Sequence, residues 1–354
     1  MPSAMIVESR SHNPWYNLAL EEFLMQKLSR AVKGESDLTS ILYLWQNQDT
    51  VVIGRNQNAW AECSTALLEA EGGKLARRTT GGGAVFHDLG NLNFSLLLPA
   101  ADFSIDRNFQ MIVDTVRQEG IPAERSGRND ILADGLKFSG NAFRINQGVG
   151  LHHGTLLVHS AFERVARYLT VAPAKLAAKG VASVRSRITN LQVIRPDITV
   201  EHLSTAMEKS FINTFCMKRS TDKDAGNYTI ERYTDIDFAK DPALVALKNQ
   251  FESWDWRFGE CITFDSNIEK KYDWGHIQIG LNVEQGVVRS ARIYSDPLDC
   301  DFIDPVISCL KGQRFHSSTL SEAVRRNAPE GEGFGVSRRQ MADDIADMLL
   351  EQGW

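Results

Sequence analysis

Arg77-Arg78-Thr79-Thr80-Gly81-Gly82-Gly83-Ala84-Val85-Phe86-His87-Asp88-Leu89-Gly90-Asn91 is the stretch on which the reading of this chain turns. Two cations and two hydroxyls precede three glycines, and Ala84-Val85-Phe86 then reads as the start of a strand. Glycines lack a Cβ, so the backbone can take positive φ and turn its N–H groups toward one concavity. Such a nest holds anions, and the arginines add full charges in fork geometry. A glycine-rich surface turn is the bland alternative. The arginines before and the strand after favour a phosphate or carboxylate cradle. Lys74 to Arg78 leads in as a strand, so only one of Arg77 and Arg78 should face the pocket.

Upstream, Leu18, Leu20, Phe23 and Leu24 recur at near-helical spacing over Asn17 to Gln26, after the Asn13-Pro14 turn. Ile41 to Trp45 and Val51 to Gly54 read as buried strands, with Arg55 at the exit of the second. Arg55 either reaches the pocket or sits in a solvated turn. Ser64 to Glu71 reads as a short capped helix. Downstream, Leu92 to Leu98 is a strand and Asn108 to Glu119 an amphipathic helix. The turn Gly127-Arg128-Asn129-Asp130 leads toward Leu136-Lys137-Phe138-Ser139-Gly140-Asn141-Ala142. In a strand, Leu136 and Phe138 would face a core while Lys137 and Ser139 share the other side. Gly135 and Gly140 would leave room for a ligand beside Lys137. A solvated surface lysine is the alternative. A lysine opposite an anion nest can hold a carboxylate and a phosphate together and stabilise the charge that builds as one attacks the other.

Val149 to Val158 is a further strand carrying His152 and His153. Neighbouring strand residues face opposite sides, so the pair cannot share one metal in the usual way. One of them is a candidate substrate contact, and a hydrogen-bonded core histidine is the alternative. Thr199 to Phe215 reads as a helix capped by Thr199.

Composition narrows the classes. The chain has 354 residues, 43% hydrophobic and 24% charged, with formal net charge −6. That suits a large domain plus a smaller one. With no strongly basic block, phosphate-tracking nucleic-acid binding is not expected. Five scattered cysteines without C-x-x-C spacing suggest reduced thiols in a cytoplasmic protein rather than a disulfide framework or zinc site. No signal peptide or membrane span is read from the N-terminus.

Taken together, Asn13-Pro14-Trp15-Tyr16-Asn17-Leu18-Ala19, Thr50 to Arg55, Arg77 to Asn91, Gly127 to Asp130, Lys137 to Ala142, His152 to Leu157 and Lys179 to Leu191 resemble the lipoate–protein ligases of the A type. These belong with biotin ligases and octanoyltransferases. The resemblance implies an α+β fold: a large mixed-sheet catalytic domain, placed at residues 1–250, and a small α+β C-terminal accessory domain at 251–354. It implies two steps. Lipoate and ATP give lipoyl-AMP and pyrophosphate, and an acceptor lysine then takes the lipoyl group. Lys137 would be the catalytic lysine. Arg78, Gly83, Ala84, Val85, Phe86 and Lys137 would bind ATP and lipoyl-AMP, while Arg78, Lys137 and His152 would bind lipoate. Lys179, Gly180 and Arg185 would belong to an adenylate-binding loop. Mg²⁺ would accompany ATP, held largely by phosphates and water, with Asp130 an indirect partner and no protein metal site. The acyl arm would lie in an apolar tunnel near Trp45 and Leu18 to Leu24. Partners would be lipoyl-domain acceptors, namely acyltransferase subunits of 2-oxoacid dehydrogenases and the glycine cleavage H protein. The ligase is expected to be a monomer, with no nucleic acid or membrane partner.

In the second half, Cys216 to Gln250 reads as exposed segments leading out of the large domain, and Phe251 to Gly259 as an aromatic junction. Gly275 to Val283 and Val287 to Tyr294 form a hairpin, and Pro305 to Leu310, Thr319 to Arg326 and Ser337 to Leu350 form helices. The competing function is a lipoyl or octanoyl transferase using a preformed acyl donor. Its thiol-dependent form needs a pocket cysteine, and Arg77 to Gly154 contains none, whereas a lipoyltransferase that uses only lipoyl-AMP would keep Lys137 and stays open. A non-catalytic scaffold would need no anion cradle.

Overall fold

The computed structural model describes residues 1–169, 188–216, 228–258 and 266–354. Its strands in chain order are β1 (Ser3–Glu8), β2 (Leu38–Trp45), β3 (Thr50–Ile53), β4 (Lys74–Arg77), β5 (Val85–His87), β6 (Asn91–Pro99), β7 (Ala123–Ser126), β8 (Asp130–Ala133), β9 (Leu136–Asn146), β10 (Val149–Leu157), β11 (Thr229–Thr234), β12 (Ser266–Tyr272), β13 (Gly275–Glu284) and β14 (Val287–Ser295).

An eight-stranded sheet runs in the order β11-β1-β2-β6-β10-β9-β8-β7. Its first three strands are parallel and the rest antiparallel, so the sheet is mixed, as the resemblance implied. Helix α1 (Pro14–Val32) packs on one face through Leu18, Leu20, Phe23, Leu24 and Leu28. Asn13 caps it by accepting from the Trp15 and Tyr16 amides, and Pro14 fits the first turn because it has no amide to satisfy. The helix Ile105–Gln118 and the helix Val200–Phe211 cover the other face with Phe109, Ile112, Val116, Leu203, Met207 and Phe211. Thr199 caps the latter, accepting from the His202 amide. Ser64 precedes the helix Thr65–Ala70 without making a side-chain cap bond.

A three-stranded sheet, β4-β3-β5, lies at the edge of this body and carries the glycine stretch. Although β2 and β3 are consecutive strands, they sit in different sheets. Residues 229–252 depart from the sequence reading. β11 pairs in parallel with β1 as an edge strand, and the helix Pro242–Glu252 packs against α1 through Leu244 and Phe251. Both elements bury only part of their surface, so their polar composition reads like loop. The helix Trp254–Phe258 also belongs here: Trp256 Nε1 donates to the Arg77 carbonyl at 2.9 Å.

The third sheet, β12-β13-β14, is antiparallel and shares a core with the C-terminal helices. Met341, Ile345, Met348 and Leu349 point inward from the helix Arg338–Leu350, as their spacing predicts. Gln285 and Gly286 turn the hairpin with φ of 52° and 74°, the left-handed values of a tight hairpin turn. Among the described residues, no helix is long and apolar enough to cross a membrane.

Candidate active site

A cavity of about 160 Å³ opens between the two sheets. Leu18 of α1, Trp45 of β2, Val52 of β3, and Ala84 and Val85 of the glycine segment supply its apolar wall. Arg78, Gly82 and Gly83 line it from the loop, and Asn129, Lys137, Gly140, Asn141 and Thr155 from β8, β9 and β10. Of the residues expected around an apolar tunnel, Trp45 and Leu18 line this cavity.

The two arginines part company, as strand alternation requires. Arg78 lines the cavity, whereas Arg77 turns away and donates to the carbonyls of Gly54, Arg55, Gln57, Trp256 and Arg257. Arg78 is also buried and spends its donors on Thr80 Oγ1 and the carbonyls of Val52, Gly81 and Gly83. Burial pulls each guanidinium down to about 10, which leaves both charged at neutral pH.

The glycines do not form the simple amide nest that sequence suggested. Gly82 has φ +89°, and its amide donates to the Pro297 carbonyl at 3.0 Å. A Cβ on Gly81 would come within 1.9 Å of that same oxygen, so only glycine permits the approach. The C-terminal unit therefore rests directly on the loop. Cys300 donates to the Thr79 carbonyl beside it, and Arg55 pairs with Asp304 rather than reaching the cavity.

Lys137 stands at the cavity with its Nζ 2.7 Å from Asp130 Oδ1. A bulge between β8 and β9 sets Ser139 opposite Ile131 and Lys137 opposite Leu132, leaving Phe138 over. Phe138 is in the core, as expected, but Leu136 is exposed at the strand end. A Cβ on Gly140 would lie 3.1 Å from Nζ, which accounts for that glycine. Gly135 does not give the ligand room: with φ +75° beside Asp134 at +50°, it makes the turn between β8 and β9.

The histidine assignment is corrected. His152 is fully buried on the far face, among Phe94, Phe109 and Phe143, and its Nε2 meets Asn141 Oδ1 at 2.9 Å. His153 lines the cavity instead. Its Nδ1 lies 2.9 Å from Glu21 Oε1 and its Nε2 2.8 Å from Thr80 Oγ1. A proton on Nδ1 satisfies both contacts, with the Thr80 hydroxyl donating to Nε2. Ser95 donates to Glu21 at 2.5 Å and accepts from Trp45 Nε1 at 3.1 Å. Sequence reading missed this buried relay from Arg78 through Thr80, His153 and Glu21 to Ser95. Glu21 was its available signal: a carboxylate on the apolar face of α1 requires a partner.

Phe86 is likewise outside the cavity. It packs on Tyr168, with ring centroids 5.5 Å apart, in the core of the small sheet. Lys179, Gly180 and Arg185 lie outside the described residues. Where the chain is described again, Ile188 bridges to Lys137, and the Thr189 amide donates to the Lys137 carbonyl at 2.9 Å.

Comparison with known proteins adds a second line. A family model described as the lipoyl protein ligase A/B catalytic domain matches residues 13–212, and one described as the bacterial lipoate protein ligase C-terminus matches residues 262–349. A curated relative from Psychrobacter cryohalolentis named lipoate-protein ligase A is 41% identical over 349 residues, 98% of this chain and 97% of the relative. One of the same name from Bdellovibrio bacteriovorus is 38% identical over 92% of each chain. Among solved structures, P. falciparum LipL1 in complex with lipoate superposes with TM-score 0.82 at 29% identity, covering 99% of this chain and 100% of that one. A lipoate-protein ligase A bound with ATP gives TM-score 0.58 at 24% identity, covering 73% and 99%, a likeness of fold alone.

Proposed function

The chain belongs to the lipoate–protein ligase family, and from that premise we propose that it is an ATP-dependent lipoate–protein ligase. The observation that carries this is Lys137 Nζ set at the mouth of an apolar cavity that also holds the Arg78 side chain. Such a cavity takes an acyl arm, Lys137 takes its carboxylate and a phosphate, and the buried Arg78 charge, whose donors the loop holds, adds to the positive field.

In the first step a lipoate carboxylate oxygen attacks the α-phosphorus of ATP. The bond from that phosphorus to the β-bridging oxygen breaks, and pyrophosphate leaves. Lys137 lowers the barrier by lying between two anions that would otherwise repel, and its fixed charge strengthens its hold as negative charge gathers on the phosphoryl oxygens. Asp130 holds the ammonium in place until then. In the second step the amine of an acceptor lysine attacks the acyl carbonyl, the acyl–phosphate bond breaks, and AMP leaves. Gly83, Ala84 and Val85 would offer shape and backbone to the adenylate. Mg²⁺ would arrive with ATP, held largely by its phosphates and water.

The acceptors would be lipoyl domains, those of 2-oxoacid dehydrogenase acyltransferases and the glycine cleavage H protein, with the ligase a cytoplasmic monomer. A bi-partite lipoate protein ligase from Thermoplasma acidophilum, solved with its E2 lipoyl domain as an archaeal lipoylation system, is similar in fold, with TM-score 0.60. We assign residues 1–258 to catalysis and 266–354 to an accessory unit, because the boundary expected at residue 250 falls inside the helix Pro242–Glu252 and the helix Trp254–Phe258 lies on the first body. A transferase using a preformed thioester is the weaker reading, because no cysteine lines the cavity among the described residues.

ATP–pyrophosphate exchange with lipoate, octanoate and biotin tests the proposal. Lipoate should drive exchange, and Lys137→Ala should abolish it, at least roughly a hundredfold, in a protein that keeps its melting temperature. Exchange by the variant near the wild-type rate would remove Lys137 from the mechanism.

A further inference from the structure

The cavity's floor is a row of residues that crosses the large sheet. Trp45 of β2 stands opposite Asn93 of β6, Asn93 stands opposite Thr155 of β10, and Thr155 Oγ1 accepts from the Gly140 amide of β9 at 3.1 Å. All four line the cavity. Crossing from β2 to β9 takes three interstrand spacings, or about 14 Å. Lys137 marks the β9 end and Trp45 the β2 end.

Two buried polar groups toward the Trp45 end lack partners. His87 packs against Trp45, with ring centroids 6.2 Å apart. Asn17 Nδ2 donates to Asn47 Oδ1, so Asn47 Nδ2 is the donor to His87 Nδ1 at 3.2 Å. The imidazole proton then sits on Nε2. Burial, with Arg78 and His153 close by, pulls this histidine down to about 3, so the ring is neutral. Among the described residues, His87 Nε2 has no hydrogen-bond partner. The Asn93 amide has one unpaired end too, and since Asn91 Oδ1 is also unpaired, the 2.9 Å bond between the two side chains fits either orientation. His87 is 4% exposed and Asn93 1%, and both line the cavity. A buried donor without an acceptor is costly, so the His87 donor on the wall of a ligand cavity indicates that the ligand supplies the acceptor.

We propose that His87 Nε2–H is a specificity-determining donor, with the unpaired end of the Asn93 amide beside it as a second polar contact, and that the two favour an acyl tail ending in a dithiolane over a plain alkyl tail. The proposal rests on the ligase reading, which puts the carboxylate at Lys137 and the tail toward Trp45. Ring sulfurs are weak acceptors and polarisable partners for aromatic edges. An alkyl tail leaves these polar groups unpaired in a dry wall, and a site built to hydrogen-bond its substrate discriminates against the analogue that lacks the acceptor.

The test is the ratio of kcat/KM for lipoate to that for octanoate in ATP–pyrophosphate exchange. A ratio does not depend on the fraction of active protein, so partly folded variants still report. Wild type should favour lipoate by roughly tenfold, and His87→Phe and Asn93→Leu should each cut that preference by about threefold. His87→Gln, whose amide reaches the Nε2 position, should restore it. Where a variant no longer turns over, the ratio of dissociation constants for the two acids gives the same reading. No wild-type preference, or a ratio unchanged in the variants, overturns this assignment alone. Wild-type exchange with neither acid overturns the ligase reading and this assignment with it.

Discussion

Arg77 and Arg78, and likewise His152 and His153, are neighbours with unlike environments, because a strand sends consecutive side chains to opposite faces. Alternation said that one member of each pair would face the site. It could not say which, because that depends on how β4 and β10 pair with strands distant in sequence. For the histidines the resemblance favoured position 152, and the register of β10 against β6 and β9 put 153 in the cavity. Lys137 was legible because glycine, hydroxyl and turn residues crowd around it locally. The buried histidines also set a pH response. Burial holds His152 well below its ordinary value and His87 at about 3. The unfolded chain takes up these protons near pH 6.5 and the folded chain does not, so stability is full above about pH 6.5 and is lost as pH falls toward 3. Each group costs about 1.4 kcal/mol per pH unit over its window. The melting temperature should therefore fall steadily from pH 7 to pH 4, and His152→Phe should flatten that slope. A variant as acid-sensitive as wild type would show that His152 charges freely in the fold.

The glycine loop shows how an element can be recognised and its use misread. Its glycines and arginines were rightly grouped, but Gly82 gives its amide to Pro297 and Gly81 admits that carbonyl at close range. The partner lies more than two hundred positions along the chain, beyond any local pattern. Gly81→Ala should force the Pro297 segment off the loop, lowering stability by about 1–3 kcal/mol in chemical denaturation and slowing adenylation. Unchanged denaturation would mean that the two segments can part at no cost. β11 and the helix Pro242–Glu252 escaped notice for another reason: each is half-exposed and shows little apolar periodicity, and only β1 and α1 make them regular.

Across the whole molecule, the C-terminal unit touches the larger body at the glycine loop and at residues flanking the cavity rather than lining it. Arg55 meets Asp304, Arg144 meets Asp301, Asn56 donates to the Cys300 carbonyl, and Phe334 packs on Phe143 with ring centroids 5.4 Å apart. Truncation after residue 258 should accordingly weaken ATP–pyrophosphate exchange by roughly tenfold or more, since it loosens the loop proposed to meet the nucleotide. Transfer from synthetic lipoyl-AMP should suffer less, because the adenylate arrives ready-made. Equal losses in both assays would count against this division of labour. The C-terminal strands and helices were visible as a second run of periodic patterns, whereas the contact of Pro297 with the glycine loop was not.

The row from Trp45 to Gly140 carries one more implication. Its spacing comes from main-chain pairing between adjacent strands and not from the side chains that decorate it. Trimming a side chain can widen the channel, but the gauge itself is graduated in strands and cannot be lengthened by a fraction of one. On the proposed placement of the acyl tail, the sheet sets the gauge along the tail and the side chains set the chemistry of the wall.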